Sequence, residues 1–250
     1  MIQVLEASNF SYPKPMKHEN EDFLLPPTYD NQYNLVFAIA DGVGSTDHAS
    51  SASKCAIKSV ETMIKKDVFS VEKALLLAKT EIDTLSATDS NLSKSATTLT
   101  VVQITKKEII IGHTGDCRVY AKQGRKFKQL TRDHTRYQEM IEEAVHPIKK
   151  INERKERLSS VITKAISPQI ALDYDITAIP IDEYIEDGIL LLSVMSDGAY
   201  DYWHERPRFS ESTMSTPSAF INSLRKRIER KGPKDDYTCM NVKINVNEPC

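Results

Sequence analysis

The chain has eight glycines in 250 residues, and four of them, Gly42, Gly115, Gly188 and Gly198, adjoin an aspartate. Three of these aspartates share a setting. Asp41 follows the apolar run LVFAIA, Asp116 follows IIIGHTG, and Asp197 follows ILLLSVMS, so each stands at or just beyond the end of a buried-strand pattern. A glycine beside such an aspartate lets backbone approach closely, and oxygen ligands can then converge at one end of a sheet. Asp187–Gly188 precedes its run and reads as an ordinary turn. Two acidic pairs complete the set: Glu21–Asp22 before the first strand and Asp235–Asp236 at the start of the last. Carboxylates gathered at the ends of buried runs repel one another unless a cation sits among them. No His or Cys cluster competes, which points to a hard ion, Mg2+ or Mn2+.

These residues need a scaffold, and β-branching and alternation mark its strands. Leu35–Ala40, Thr97–Thr105, Glu108–Ile111, Val119–Ala121, Lys126–Leu130, Ile189–Ser193 and Tyr237–Val246 read as strands separated by glycine and charged pairs, a pattern of antiparallel sheets. Helical periodicity runs through Ala49–Lys65, and again from Val71 through Ala74, Leu75, Ala78, Ile82 and Leu85 behind Ser70 as N-cap. A late helix opens at Thr216–Pro217, aligns Phe220, Leu224 and Ile228, and stops at Gly232–Pro233. Trp203, Tyr200 and Tyr202 read as core aromatics, and His134 as a loop or packing residue. With no repeat and no linker, residues 1–250 read as one α+β domain. The least regular stretch, 132–168, is expected to form a short helix over Tyr137–Ala144 and then a mobile surface segment.

Composition excludes several classes. A net charge of −2 leaves no basic excess for nucleic-acid phosphates, and 40% hydrophobic residues argue against disorder. The most apolar stretch, Ile189–Met195, is far short of the roughly 20 residues that span a bilayer. The opening residues MIQVLEASNFSYPKP lack a secretory pattern. Cys55, Cys117, Cys239 and Cys250 are scattered without a CxxC pair, as expected of reduced thiols in a cytoplasmic protein.

In chain order stand ENED (Glu19–Asp22), FAIADGVGS (Phe37–Ser45), SATTLTVVQI (Ser95–Ile104), GHTGDCRVY (Gly112–Tyr120), QLTRDHT (Gln129–Thr135), SVMSDGAYD (Ser193–Asp201) and KDDYTCMNV (Lys234–Val242). This series resembles the metal-dependent serine/threonine protein phosphatases of type 2C, the PPM family, in their compact bacterial form. The resemblance implies two antiparallel β-sheets in a central sandwich flanked by antiparallel helix pairs, and a binuclear Mn2+ or Mg2+ centre with a third, weaker ion. On that reading Asp41 bridges both metals and the Gly42 carbonyl binds one. Asp197 and Asp235 complete the other, and Glu21 and Asp22 hold the second directly or through water. Asp116 shares the third ion with Asp197, and Asp236 plays a supporting part. Asp41, Asp197 and Asp235 then carry catalysis, with a metal-bridging hydroxide attacking phosphorus in line. Phosphorylated proteins are the implied substrates, and a cognate Ser/Thr kinase the implied partner, with no nucleic acid and no membrane.

Three departures from the family pattern stand out. Lys17 occupies the phosphate-binding place of an arginine, keeping charge but losing the bidentate fork. Val43 follows the DG pair where eukaryotic members carry histidine. The segment resembling the family's flap, His146–Ser167, is unusually basic and lacks the Leu-Gly ending. The alternative to an enzyme is a pseudophosphatase that binds phosphoproteins without turnover. Such proteins normally lose a core aspartate, whereas Asp41, Asp197 and Asp235 are all present.

Overall fold

Two five-stranded antiparallel sheets face one another. The first orders β1 (Gln3–Tyr12), β10 (Tyr237–Asn245), β9 (Ile189–Met195), β6 (Arg118–Gln123) and β7 (Lys126–Gln129). The second orders β2 (Asp22–Tyr29), β3 (Leu35–Asp41), β4 (Leu99–Ile104), β5 (Glu108–Thr114) and β8 (Asp175–Pro180). The computed structural model describes residues 2–44, 46 and 48–246, so Ser45 and Cys250 lie outside the described residues.

The unbroken apolar run at Leu35–Ala40 has a direct cause, because β3 is covered on both faces. Leu35, Phe37 and Ile39 point between the sheets against Val194, Met240, Val242 and Leu192. Val36, Ala38 and Ala40 point outward, under α1 (Ala49–Ile64) and α2 (Val71–Thr88), where they meet Ala52, Ala56, Val60, Leu75 and Ala78. A strand that solvates neither face has no reason to alternate. The small residues Ala52, Ala56, Ala74 and Ala78 let the two helices lie close to the sheet. Ser70 caps α2 as expected, accepting from the Lys73 N–H.

The other sheet is covered by α6 (Asp197–Glu205), α7 (Glu211–Met214) and α8 (Pro217–Lys231). Trp203, Phe220, Leu224 and Ile228 pack there with Phe10, Tyr120 and Met195. Tyr200, Tyr202 and Trp203 are buried, so the core reading of these aromatics holds. Among the described residues no helix is long and apolar enough to cross a membrane. The sandwich with helices on both outer faces is the α+β architecture expected.

Several elements differ from the sequence reading. Strands β1, β2 and β8 are additional. β1 mixes polar and apolar residues out of phase with its burial, β2 carries Pro26–Pro27 at a register shift between Leu25 and Thr28, and β8 is an edge strand with exposed residues, so none shows a clean apolar–polar alternation in its sequence. Helix α6 begins at Asp197 directly after β9, where Gly198 disguises a helix start. The segment 132–168 carries more secondary structure than the single short helix expected. It forms α3 (Arg136–Glu143), α4 (Ile148–Asn152) and α5 (Lys155–Ser159), then returns through isolated bridges of Ile162 to Thr135 and Ile166 to Thr97.

Candidate active site

Antiparallel topology brings the acidic residues to one end of the sandwich. β3 and β9 run toward that end, β2 and β10 start from it, and β5 turns there into β6. Asp22 therefore opens β2, Asp41 closes β3, Asp116 sits in the β5–β6 turn, Asp197 opens α6, and Asp235–Asp236 precede β10. Asp22 and Asp41 are direct partners across the β2–β3 ladder.

Hydrogen bonds to and from the backbone hold several of these acids in place. The Asp41 N–H donates to Thr98 Oγ1 (3.0 Å), and its carbonyl accepts from the Thr98 N–H (2.7 Å) and the Thr97 hydroxyl (3.0 Å). The TT of SATTLT thus cradles the aspartate that closes the neighbouring strand. The Gly42 N–H donates to the Glu21 carbonyl (3.0 Å), which also accepts from the Ser53 hydroxyl (2.5 Å). Asp236, buried, accepts from the Glu21 N–H (2.6 Å) and the Lys14 N–H (2.9 Å), and its own N–H donates to Asp235 Oδ1 (2.9 Å). It organises the acidic N-terminal segment through backbone, a supporting place. Asp235 is half exposed, with Lys14 Nζ at 3.2 Å. Lys17 Nζ lies 2.5 Å from Glu21 Oε2 and 3.7 Å from Asp236 Oδ2, so it faces the acidic end rather than open solvent.

Gly198 is required by close packing. A Cβ there would stand 2.0 Å from the Asp236 carbonyl oxygen, so the start of α6 can press against β10 only without a side chain. The Gly198 N–H donates to Asp197 Oδ1 (2.6 Å), and the helix N-terminus favours negative charge at that position.

The electrostatics show how tightly the acids are gathered. Burial raises the Asp22 carboxyl to about 6, despite hydrogen bonds from Thr238, Ser196 and Asp41 that pull the other way. Burial and then the charges of Asp22, Asp197 and Asp116 push Asp41 well above the usual carboxylate range. Asp197 is raised likewise by burial, followed by Asp116, Asp235 and Asp22. Asp116 is lifted to about 7 by burial and by Asp133, with Arg118 opposing. Burial reduces Lys17's basicity, but Glu21, Asp236 and Asp235 outweigh it and the net shift is upward. Cys117 and Cys239 are buried, and burial first of all raises both thiols, Cys239 to about 12. Neither is poised as a thiolate nucleophile.

Among the described residues no group of three or more His, Cys, Asp or Glu side chains is arranged to grip a metal ion as it stands. The acids share a field without closing into a cage. Their chemistry nonetheless fits a hard cation. The donors are all oxygen, their charges repel, and two buried carboxylate oxygens, Asp22 Oδ1 and Asp116 Oδ1, have no hydrogen-bond partner. Glu21, Asp22, Asp41, Gly42, Asp116, Asp197 and Asp235 are the residues that could hold it.

Sequence reasoning passed over several residues that hold this end together. Thr97 and Thr98 have no local signature beyond strand character. Asp133 grips Arg118 through both carboxylate oxygens (2.9 and 3.1 Å to Nε), and the Arg118 guanidinium lies 3.7 Å from the Tyr200 ring centroid. His134 is fully buried and hydrogen-bonded, a packing residue as expected but with specific polar partners. Burial lowers its basicity, against the pull of Asp175.

Fold and site together define an α+β protein of two stacked sheets with helices outside and clustered carboxylates at one end. A family model of protein phosphatase 2C matches residues 17–238. The chain belongs to that family, which places it among the protein-serine/threonine phosphatases. A serine/threonine phosphatase stp of Listeria welshimeri is 24% identical over 196 residues, covering 71% of this chain and 72% of the relative. The solved structure of the serine/threonine phosphatase Stp1 from Staphylococcus aureus superposes with a TM-score of 0.78 at 17% identity, covering 96% of this chain and 95% of that one. The catalytic domain of the phosphatase PstP, solved in complex with two manganese ions, superposes with a TM-score of 0.73 at 19% identity, covering 98% and 99%. At these identities the structural matches establish the fold.

Proposed function

We propose that this chain, as one domain over 1–250, hydrolyses phosphoserine and phosphothreonine in proteins at the acidic end of the sandwich, with two divalent cations, Mn2+ or Mg2+, and a third, weaker one. The observation that carries the reading is the convergence of Asp22, Asp41, Asp116 and Asp197 at one strand end, with the unpartnered oxygens of Asp22 and Asp116. In this assignment Asp41 and the Gly42 carbonyl would be ligands of the principal cations. Asp197 and Asp235 would hold one ion, Glu21 and Asp22 the other, and Asp116 would join Asp197 at the weaker site. The PstP domain solved with two manganese ions supports this ion and this number.

Bound there, the cations would supply charge against the phosphate oxygens and Lewis acidity toward water near neutral pH. The protein's own part is positional. Thr97 and Thr98 fix Asp41, Asp236 fixes Glu21, and the first turn of α6 fixes Asp197, so the acids need little rearrangement as charge develops. Lys17 stands beside Glu21 with an ammonium that can meet a phosphate oxygen as a point charge. A place in bacterial signalling opposite a Ser/Thr kinase, in the cytoplasm, completes the proposal. The presence of Asp41, Asp197 and Asp235 at one site favours turnover over phosphoprotein binding alone.

The test is hydrolysis of a chromogenic aryl phosphate and of a phosphothreonine peptide, after chelation and after Mn2+ is restored. Turnover that depends on Mn2+ is expected. Full activity after thorough chelation would overturn the metal assignment, and peptide binding without turnover would overturn the enzyme.

A further inference from the structure

His134 stands between the turn that carries Asp116 and the returning arm of the 132–168 segment, and it is bonded to both. Its backbone N–H donates to the Gly115 carbonyl (2.8 Å), while the Gly115 N–H donates to its Nδ1 (3.1 Å). One residue thus holds both polar groups of Gly115. Because Nδ1 accepts, the ring proton belongs on Nε2, from which it donates to Asp175 Oδ2 (2.9 Å). Lys164 then joins Asp175 Oδ1 (3.3 Å) and Asp173 (3.1 Å). The His134 carbonyl accepts from the Thr163 N–H (2.9 Å), and three residues on, Ile166 exchanges backbone hydrogen bonds with Thr97, the residue that holds the Asp41 carbonyl.

The turn needs such a brace. Gly115 has a φ of +110°, and a Cβ there would fall 2.4 Å from the Thr98 side chain, so the turn is a glycine-only conformation pressed onto the strand behind Asp41. The other side of Asp116 is tied by Arg118 to Asp133, the residue before His134. Asp133 and His134 therefore grip the Asp116 turn from both ends, and only His134 also reaches the returning arm.

We propose that His134 is a positioning residue that places the Asp116 turn through Nδ1 and seats the 132–168 segment through Nε2. The proposal rests on the phosphatase reading above and deepens it. The Gly115 contact sets where the Asp116 carboxylate stands. The Asp175–Lys164 contact sets where the arm leaves the body, and so where its exposed basic residues Lys149, Lys150, Arg154 and Arg157 are held. A single rigid imidazole makes both contacts, one through each ring nitrogen.

Two variants divide the contacts. In His134→Asn the side-chain oxygen can take the place of Nδ1 and keep the Gly115 bond, but it cannot reach Asp175. In His134→Gln the amide nitrogen can take the place of Nε2 and keep the Asp175 bond, but the Gly115 acceptor is lost. For His134→Gln we expect kcat to fall at least about tenfold on aryl phosphate and phosphopeptide alike. For His134→Asn we expect kcat on aryl phosphate within about threefold of wild type, and KM for the phosphopeptide raised about tenfold. Asp175→Ala should match His134→Asn, and the double variant should be no worse than either single.

Amide hydrogen exchange supplies a readout apart from activity. Faster exchange at Gly115–Cys117 is expected in His134→Gln, and faster exchange at 161–166 in His134→Asn. The same pattern of loss in both variants, or additive effects of Asp175→Ala and His134→Asn, would overturn this division of roles. If the wild type itself proves inactive, the enzyme reading fails, while the exchange patterns still decide the brace.

Discussion

Asp22 and Asp41 stand directly opposite one another on neighbouring antiparallel strands, the first residue of β2 against the last of β3. Like charges in that relation destabilise a sheet. Here each is also bound into the fold by its neighbours, Asp22 by the Ser196 hydroxyl at 2.8 Å and Asp41 by Thr98. The pairing exchanges stability for a focused negative site.

Asp41→Asn and Asp197→Asn are each expected to reduce turnover below a few per cent while leaving the fold intact. Each removes a charge that its neighbours oppose, so the chelated protein should melt higher, by roughly 2–4 °C for each kcal/mol of repulsion relieved. Rate assays paired with thermal melts in chelator measure both. Substantial residual activity would move the centre elsewhere. In the wild type, Mn2+ and Mg2+ should support activity better than Ca2+, a larger and poorer Lewis acid.

Lys17→Arg should lower KM for a phosphopeptide, because a guanidinium can offer two parallel hydrogen bonds. Lys17→Ala should raise KM, roughly tenfold for each ~1.4 kcal/mol of binding lost. Its ion pair with Glu21 adds a second expected effect, weaker retention of Mn2+ by Lys17→Arg if the fork draws Glu21 away. Unchanged kcat and KM in Lys17→Ala, measured at saturating Mn2+, would put phosphate on another group.

Gly198→Ala forces a methyl into the Asp236 carbonyl, a contact that only backbone movement can relieve. Overpacking of this kind costs about 1–3 kcal/mol, enough to lower Tm by roughly 5 °C. The same movement displaces Asp197, so kcat should fall more than fold loss explains. A melt and a rate at wild-type levels would show that α6 does not need this close approach.

His113 gives the protein an acid limit. It is buried, with the Arg132 carbonyl at 3.0 Å from Nε2 and the Thr100 hydroxyl at 2.8 Å from Nδ1. Burial, and then His134, lower its pKa to about 3. The unfolded chain takes up this proton near pH 6.5 and the folded one does not, so stability is full above that pH and falls as pH drops from about 6.5 toward 3. At pH 5 this site costs on the order of 2 kcal/mol. Urea denaturation at pH 7 and pH 5 should show His113→Gln losing less stability than wild type over that interval. Equal pH dependence would assign the acid limit to other groups.

By itself the sequence determined the acids, the glycines beside them, and the order of the elements that bear them. Those features are local. An apolar run ending in Asp-Gly, or a Ser-capped amphipathic window, carries its meaning within a few residues. The strands that escaped it, β1, β2 and β8, are edge or proline-bearing strands whose pairing is set by neighbours rather than by their own pattern. Only tertiary structure decided which groups hold the acids. Thr98 reaches Asp41 across 57 residues, and His134 reaches Gly115 across 19, because strand register and the β5–β6 turn bring those backbones together. Hydrogen-bond partners chosen by register leave no periodic trace, and so a histidine that reads as packing becomes, once folded, the brace beneath Asp116.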